Sequence, residues 1–219
     1  MILEILFEDE CLVVVNKPAG IVVHPTYRNL DGTLIDELRE RCPGASLAAV
    51  GRLDKLTSGV VLVAKTAEVH ALMQKRWHQA DKVYVAVVQG LVEPDRGEID
   101  QPLGTDPADR RRRMIRLDGA PSVTRFECVA RSPSTARSLV RCRLLTGRRH
   151  QIRVHLAARG WPVVGDAVYG QALPGFPRHA LHAWRLVLPH PLAQTAVIVE
   201  APLHADFKTL LSASELPFD

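Results

Sequence analysis

In this 219-residue chain the residue best placed to do chemistry is an aspartate set between an arginine and a turn-forming triplet. Asp54 stands in Gly51-Arg52-Leu53-Asp54-Lys55-Leu56-Thr57-Ser58-Gly59, directly before the apolar run Val60-Val61-Leu62-Val63-Ala64. A carboxylate held by backbone on both sides and kept ionised by a cationic neighbour can serve as nucleophile or base. Taken alone, an Asp beside Thr-Ser-Gly more often caps a turn or a helix start, so both roles stay open. Arg52 shares a face with Asp54 if the segment is extended. Thr57 and Ser58 can donate hydrogen bonds to the turn.

The second group is Thr146-Gly147-Arg148-Arg149-His150-Gln151-Ile152-Arg153-Val154-His155-Leu156. A helix over 149–158 puts Arg149 and Arg153 one turn apart on one face, with Ile152 and Leu156 on another. The Thr-Gly turn would leave backbone N–H groups at its N-terminus as an anion site. Seven arginines and no acid lie between Arg137 and Arg159; the whole chain nets +4, so its remainder carries −3. Solvated faces usually mix signs, and a segment this one-sided is the footprint of a nucleic-acid partner. Tyr84, in Lys82-Val83-Tyr84-Val85-Ala86-Val87-Val88-Gln89-Gly90, is either a core tyrosine or a surface for stacking a base. The run Arg110-Arg111-Arg112-Arg113 is a phosphate contact or a flexible charged loop.

The four cysteines have no Cys-x-x-Cys spacing, which reads as reduced thiols in a cytoplasmic protein. His150 and His155, five apart, do not share a helical face, so no metal site is expected. The N-terminus lacks a basic segment ahead of an apolar one. No apolar run approaches the ~20 residues of a membrane span.

Positioning these groups falls to many strands and few helices. Strands are predicted at Ile2–Phe7 and Leu12–Asn16, joined as a hairpin, and at Ile21–His24, Lys82–Val88, Val123–Ala130, Ser138–Leu145, Ala183–Leu188 and Thr195–Glu200. Helices are predicted at Leu34–Arg41 behind Asp31-Gly32-Thr33, Ala67–Gln79 with Ala71, Leu72 and Lys75 at helical spacing, Arg149–Ala158 and Ala205–Leu211. The stretch 93–122, rich in Pro, Gly, Asp and Arg, reads as an inserted hairpin or loop. The expected architecture is α+β, a single domain over 1–219 built on a mixed, mostly antiparallel sheet flanked by helices and loops.

Five blocks, in this order, resemble the RluA-type pseudouridine synthases: Asn16-Lys17-Pro18-Ala19-Gly20 after its strand, Gly51–Lys65, Lys82–Gly90, Thr146–Leu156, and Pro162–Gly170 with Leu181-His182-Ala183. The resemblance covers residues 2 to about 202. It implies isomerisation of uridine to pseudouridine in structured RNA, rRNA or tRNA, with no cofactor or metal; separately, nothing in the sequence demands more than a monomer. By motif position Asp54 would be the essential carboxylate, and Arg153 would pair with it, a role for which lysine would substitute poorly. Tyr84 would stack on the target base, and Arg52 would help draw the nucleotide from its stack. Arg148, Arg149 and Arg110, Arg111, Arg112 and Arg113 would contact phosphates. Relatives commonly carry His where Gly51 stands, and Gly-Arg-Leu-Asp matches the RsuA-type branch. Many also carry an S4-like module before the catalytic domain. The chain given starts at that domain, so substrate choice is expected to rest with it and its insertion. The competing expectation is a non-catalytic RNA-binding or RNA-remodelling protein on the same scaffold. Two other readings fail on motif grounds: a phosphohydrolase would want an Asp-x-Asp pair, and a zinc deaminase a Cys-x-x-Cys.

Overall fold

The computed structural model describes residues 3–25 and 31–218; Ile2, the predicted start of the first strand, lies outside them. In chain order the elements are β1 (Glu4–Glu8), β2 (Leu12–Lys17), α1 (Leu34–Arg41), β3 (Ala48–Ala49), β4 (Ser58–Ala64) and α2 (Ala67–Arg76). A 3₁₀ turn, Trp77–Gln79, precedes β5 (Asp81–Gln89). Then come β6 (Arg96–Asp100), β7 (Leu103–Thr105), β8 (Arg113–Ile115), β9 (Val123–Ser132), β10 (Arg137–Leu144) and α3 (Gln151–Ala158). The chain closes with β11 (Leu181–Pro189), β12 (Ala196–Glu200) and α4 (Ala205–Ala213). The chain is α+β, with strands paired mostly antiparallel. It divides into two compact units, 1–82 with 183–202, and 83–182 with 203–219.

In the first unit the strand order is β1-β2-β4-β11, with β12 on β11 and β3 on β4. β2 and β4 are buried along their whole length, and their stretches Leu12–Val15 and Val60–Ala64 read as continuous apolar runs rather than alternating ones. One face, carrying Val13, Val15, Val61 and Val63, packs on Leu34, Ile35 and Leu38 of α1. The other, carrying Leu12, Val14 and Leu62, packs on Val69 and Met73 of α2 and on Leu186, Leu188, Val197 and Val199. The buried pair on α2 is therefore Val69 and Met73, whereas Ala71 and Lys75 are exposed. Thr33 caps α1 in a capping box with Asp36. The predicted strand Ile21–His24 does not form; the Val22 and Val23 carbonyls instead accept the N–H groups of Leu34 and Ile35 at 2.9 and 3.2 Å. A helix N-terminus with unsatisfied donors claimed the carbonyls a sheet would have used.

The second unit orders its strands β5-β10-β9-β6, with β7 and β8 in a separate two-stranded sheet. β9 and β10 form a long hairpin with a bulge between Leu139 and Val140. α4 is tied on by Asp206, whose carboxylate receives the Arg178 guanidinium at 2.6 and 3.0 Å. Burial alone would raise the Asp206 pKa, but the bonds and charge of Arg178 hold it below the usual carboxylate range.

Candidate active site

Asp54 opens a tight turn in the first unit, its carbonyl accepting the Thr57 N–H at 3.0 Å, and its side chain is half-buried. Three separate devices fix this turn. The first is Lys17, fully buried: its ammonium donates to the carbonyls of Pro18 at 2.9 Å, Ile21 at 3.0 Å and Lys55 at 3.3 Å. Gly20 N–H adds a bond to the same Lys55 carbonyl at 2.8 Å. A buried cation is costly unless its protons are bonded, and here carbonyls satisfy it. The Asn-Lys-Pro-x-Gly block is thus the clamp of the residue that follows Asp54.

The second device is Gly51, at φ +96°, where a Cβ would lie 2.8 Å from the Trp77 ring. Trp77 occupies the space next to this turn, so a side chain at position 51 would collide with it. Lys82 lies over the same ring at 5.3 Å and donates to the Trp77 carbonyl at 3.3 Å. Burial pushes the Lys82 ammonium pKa down, and the Asp81 charge opposes that shift.

Gly59 is the third device. At φ +111°, its Cβ would sit 2.2 Å from the Ala183 carbonyl oxygen. Backbone cannot move aside as a flexible side chain can, and φ here is strained for any L residue. Gly59→Ala is expected to destabilise the protein by about 3 kcal/mol or more, a fall in Tm of about 6–12 °C in a thermal melt. The control is Gly147→Ala, where an added Cβ meets nothing within 4 Å. Its Tm should stay within about 2 °C of wild type.

Arg52 is exposed beside Asp54. Burial, then the charges of Arg52 and His70, hold the His24 imidazole below its ordinary pKa. Arg52 is therefore the cationic group near His24, which is held toward its neutral form, and its exposed guanidinium suits an anionic ligand.

The second unit carries Tyr84, half-buried on β5, and Arg153, buried on α3. The guanidinium of Arg153 forms a fork with Asp166, Nε to Oδ2 at 2.7 Å and Nη2 to Oδ1 at 2.8 Å. Burial would raise the Asp166 pKa; the bonds and charge of Arg153 outweigh it and keep the carboxylate ionised. Asp166 also accepts the N–H groups of Val168 at 3.0 Å and Tyr169 at 3.3 Å. A guanidinium has five N–H donors, so this fork does not exhaust Arg153. The motif order placed Asp166 in a resembling block but did not identify it as the partner of Arg153.

α3 begins at Gln151, because His150 takes a left-handed conformation at φ 59°. Arg149 therefore precedes the helix and does not share a helical face with Arg153. One backbone donor of the expected anion site at the helix start is also taken by a side chain. Gln151 Oε1 accepts the Arg148 N–H and the Thr146 hydroxyl, each at 2.9 Å. Its Nε2 donates to the Val123 carbonyl and to Thr124 Oγ1, each at 3.0 Å. Arg148 and Arg149 are exposed, Arg148 Nε donating to the Pro121 carbonyl at 3.2 Å.

The arginine-rich segment is less one-sided in space than in sequence. Arg153 is matched by Asp166, Arg141 meets Glu127 at 3.1 Å, and Arg137 Nη1 donates to Ser214 Oγ at 2.8 Å. In the run 110–113, Arg111 forms a fork with Asp109 and Arg112 lies 3.7 Å from Asp106. The Arg111 bonds lower the Asp109 pKa to about 2. Arg110 is exposed, and Arg113 begins β8.

His155 is fully buried, Nδ1 at 2.9 Å from Thr124 Oγ1 and Nε2 at 2.9 Å from the Gln101 carbonyl. Burial, the largest influence, holds its pKa below the ordinary value. The unfolded chain therefore binds the proton more readily, and the stabilisation is complete above about pH 6.5 and lost as pH falls. Between pH 7.5 and 5.5 the Tm of wild type should drop further than that of His155→Gln in parallel melts.

Among the described residues, Asp9, Cys11 and His190 are close enough to hold a metal. His190 Nδ1 accepts the N–H groups of Leu192 and Ala193, so its proton sits on Nε2 and donates to Asp9 at 2.8 Å. A metal at Nε2 would require an imidazolate, and the arrangement fits a clamp between two turns instead.

Residues 11–158 match the family model of the RNA pseudouridylate synthases. A "Ribosomal large subunit pseudouridine synthase D" of Nitrosomonas europaea is 41% identical, over 96% of this chain and 65% of its own length. This chain thus spans about two thirds of that relative. Among solved structures, "Human RNA Pseudouridylate Synthase Domain Containing 4" aligns at a TM-score of 0.80 with 25% identity, over 98% of this chain and 94% of that one. "Human RNA Pseudouridylate Synthase Domain Containing 1" aligns at 0.75 with 27% identity, over 100% and 96%. With the motif blocks matched in sequence and these folds followed along nearly the whole chain, the chain belongs to the RNA pseudouridylate synthase family.

Proposed function

We propose that this protein isomerises specific uridines in structured RNA to pseudouridine, with Asp54 as the essential carboxylate and both units serving one catalytic domain. The observation that carries the reading is the turn itself. The half-buried Asp54 stands in a turn whose next residue is clamped by a fully buried lysine and whose Gly59 has no room for a side chain, far more fixation than a solvated turn needs. The N1–C1′ bond breaks, the uracil turns in place, and C1′ rejoins through C5, whose proton is released to solvent. Tyr84 stacks on the uracil, Arg153 supports the carboxylate, and Arg52 helps extract the nucleotide from its stack. Arg110, Arg111, Arg112, Arg113, Arg148 and Arg149 hold phosphates. The reaction needs no cofactor or metal, and the protein works as a cytoplasmic monomer.

The relative's name, which specifies the ribosomal large subunit, makes rRNA the first substrate class to supply and tRNA the second. The experiment is tritium release from [5-³H]uridine-labelled, unmodified rRNA and tRNA transcripts in EDTA. Release from either pool is the expected result, and the responding pool identifies the substrate class. Tight binding of both pools without release would favour an RNA-binding protein on this scaffold.

A further inference from the structure

Tyr169 lies in the second unit where several of its charged groups converge. Its half-buried ring has the Arg153 guanidinium at 5.0 Å on the catalytic helix and the Arg112 guanidinium at 5.6 Å on the basic hairpin. Its hydroxyl accepts the Arg113 N–H at 2.8 Å, where β8 begins, and lies 2.7 Å from His150 Nδ1. Arg149 Nε donates to His150 Nε2 at 3.3 Å, which puts the proton of a neutral ring on Nδ1, donating to the phenol oxygen. Its own backbone N–H donates to Asp166, the carboxylate that grips Arg153. One side chain thus touches the hairpin, the turn before α3 and the buried arginine–aspartate pair.

We propose that Tyr169 is a positioning residue with two separable tasks: its ring face sets the Arg153 guanidinium, and its hydroxyl anchors the basic hairpin that grips RNA. A guanidinium over an aromatic face is held in plane as well as attracted, which suits an arginine already forked to Asp166. The hydroxyl bonds the backbone where the β7–β8 ladder meets the loop 106–112, whose ion pairs Arg111–Asp109 and Arg112–Asp106 each carry an exposed arginine. A phosphate contact on an anchored hairpin costs less ordering than one on a loose loop.

The inference rests on the proposed activity, and the two tasks are tested apart. Single-turnover tritium release and RNA affinity by filter binding are measured for wild type, Tyr169→Phe and Tyr169→Leu. Phe keeps the ring and loses the hydroxyl, so Kd should weaken about 2–10-fold while the rate constant stays within about twofold. Leu loses both, so Kd should weaken at least as much and the rate constant should fall about 10-fold. Recovery of the rate by Phe is the mark of positioning, since general loosening would lower the rate in step with Tm in both variants. Equal rate losses in the two, or wild-type rate and Kd in both, would overturn the proposal. If Tyr169→Leu does not fold, Tyr169→Phe decides alone, and an unchanged Kd overturns it. A wild-type protein that binds RNA but releases no tritium would count against the activity, while the Phe comparison of Kd would still decide the anchoring task.

Discussion

Asp54→Asn should reduce tritium release by about a thousandfold or more, with RNA affinity kept within about threefold. The substitution keeps the shape of the side chain and removes its charge and basicity. What it deletes is the capacity to attack an electrophilic carbon or to take a proton, which no amide supplies. The turn should survive, because it is built elsewhere. Lys17 and Gly20 hold the Lys55 carbonyl, and the Thr57 N–H donates to the backbone carbonyl of residue 54. A loss confined to the single-turnover rate constant is the signature of a group used in the transition state. Asp54→Ala in parallel guards against an asparagine that creates new bonds. Near-wild-type release by both would return Asp54 to the plainer role its Thr-Ser-Gly neighbours first suggested, a turn residue.

The fold was largely readable from the chain because its cues are local. The Thr33 cap with Asp36, the hairpin around Glu8-Asp9-Glu10, and the unbroken apolar runs of β2 and β4 each carry their meaning within a few residues. What escaped depends on partners distant in sequence. Nothing near Gly51 announces that Trp77 fills the space beside it, and nothing near Arg153 announces Asp166. Lys17 reads as a charged turn residue until the carbonyls of Pro18, Ile21 and Lys55 are seen around it. The start of α3 failed for a subtler reason. Helical spacing of arginines fits Arg149 as well as Gln151, but a single left-handed residue, His150, moves the boundary. The charge count likewise could not see that Arg141 would be matched by Glu127 across the β9–β10 ladder.

The arginine–aspartate pair supports a second large prediction, this one on stability. Asp166→Ala should destabilise the protein by about 3–5 kcal/mol, since it strands a buried guanidinium without its counter-charge. For a chain of this length that is a fall in Tm of about 6–20 °C. The same change frees the N–H groups of Val168 and Tyr169, which Asp166 also accepts. Because Arg153 holds the folded pKa of Asp166 below its ordinary value, the pair stabilises fully above about pH 4 and loses that contribution as pH falls further. Stability and chemistry part company in the double variant Asp166→Leu with Arg153→Met. Replacing a whole buried pair by apolar side chains of similar size is often close to neutral, so the double variant should melt well above Asp166→Ala. It should nevertheless release no measurable tritium, because nothing in it supplies the cation that the proposed mechanism sets behind Asp54. A double variant that both folds and turns over would show that Arg153 serves the core alone. One that melts as low as Asp166→Ala would show that the backbone bonds to Asp166, rather than its charge pairing, dominate its contribution. The comparison is a calorimetric melt and a tritium assay on the same three proteins, with Arg153→Lys as a fourth. Lysine keeps the charge but cannot form the two-point fork, so it should retain part of the stability and little of the rate.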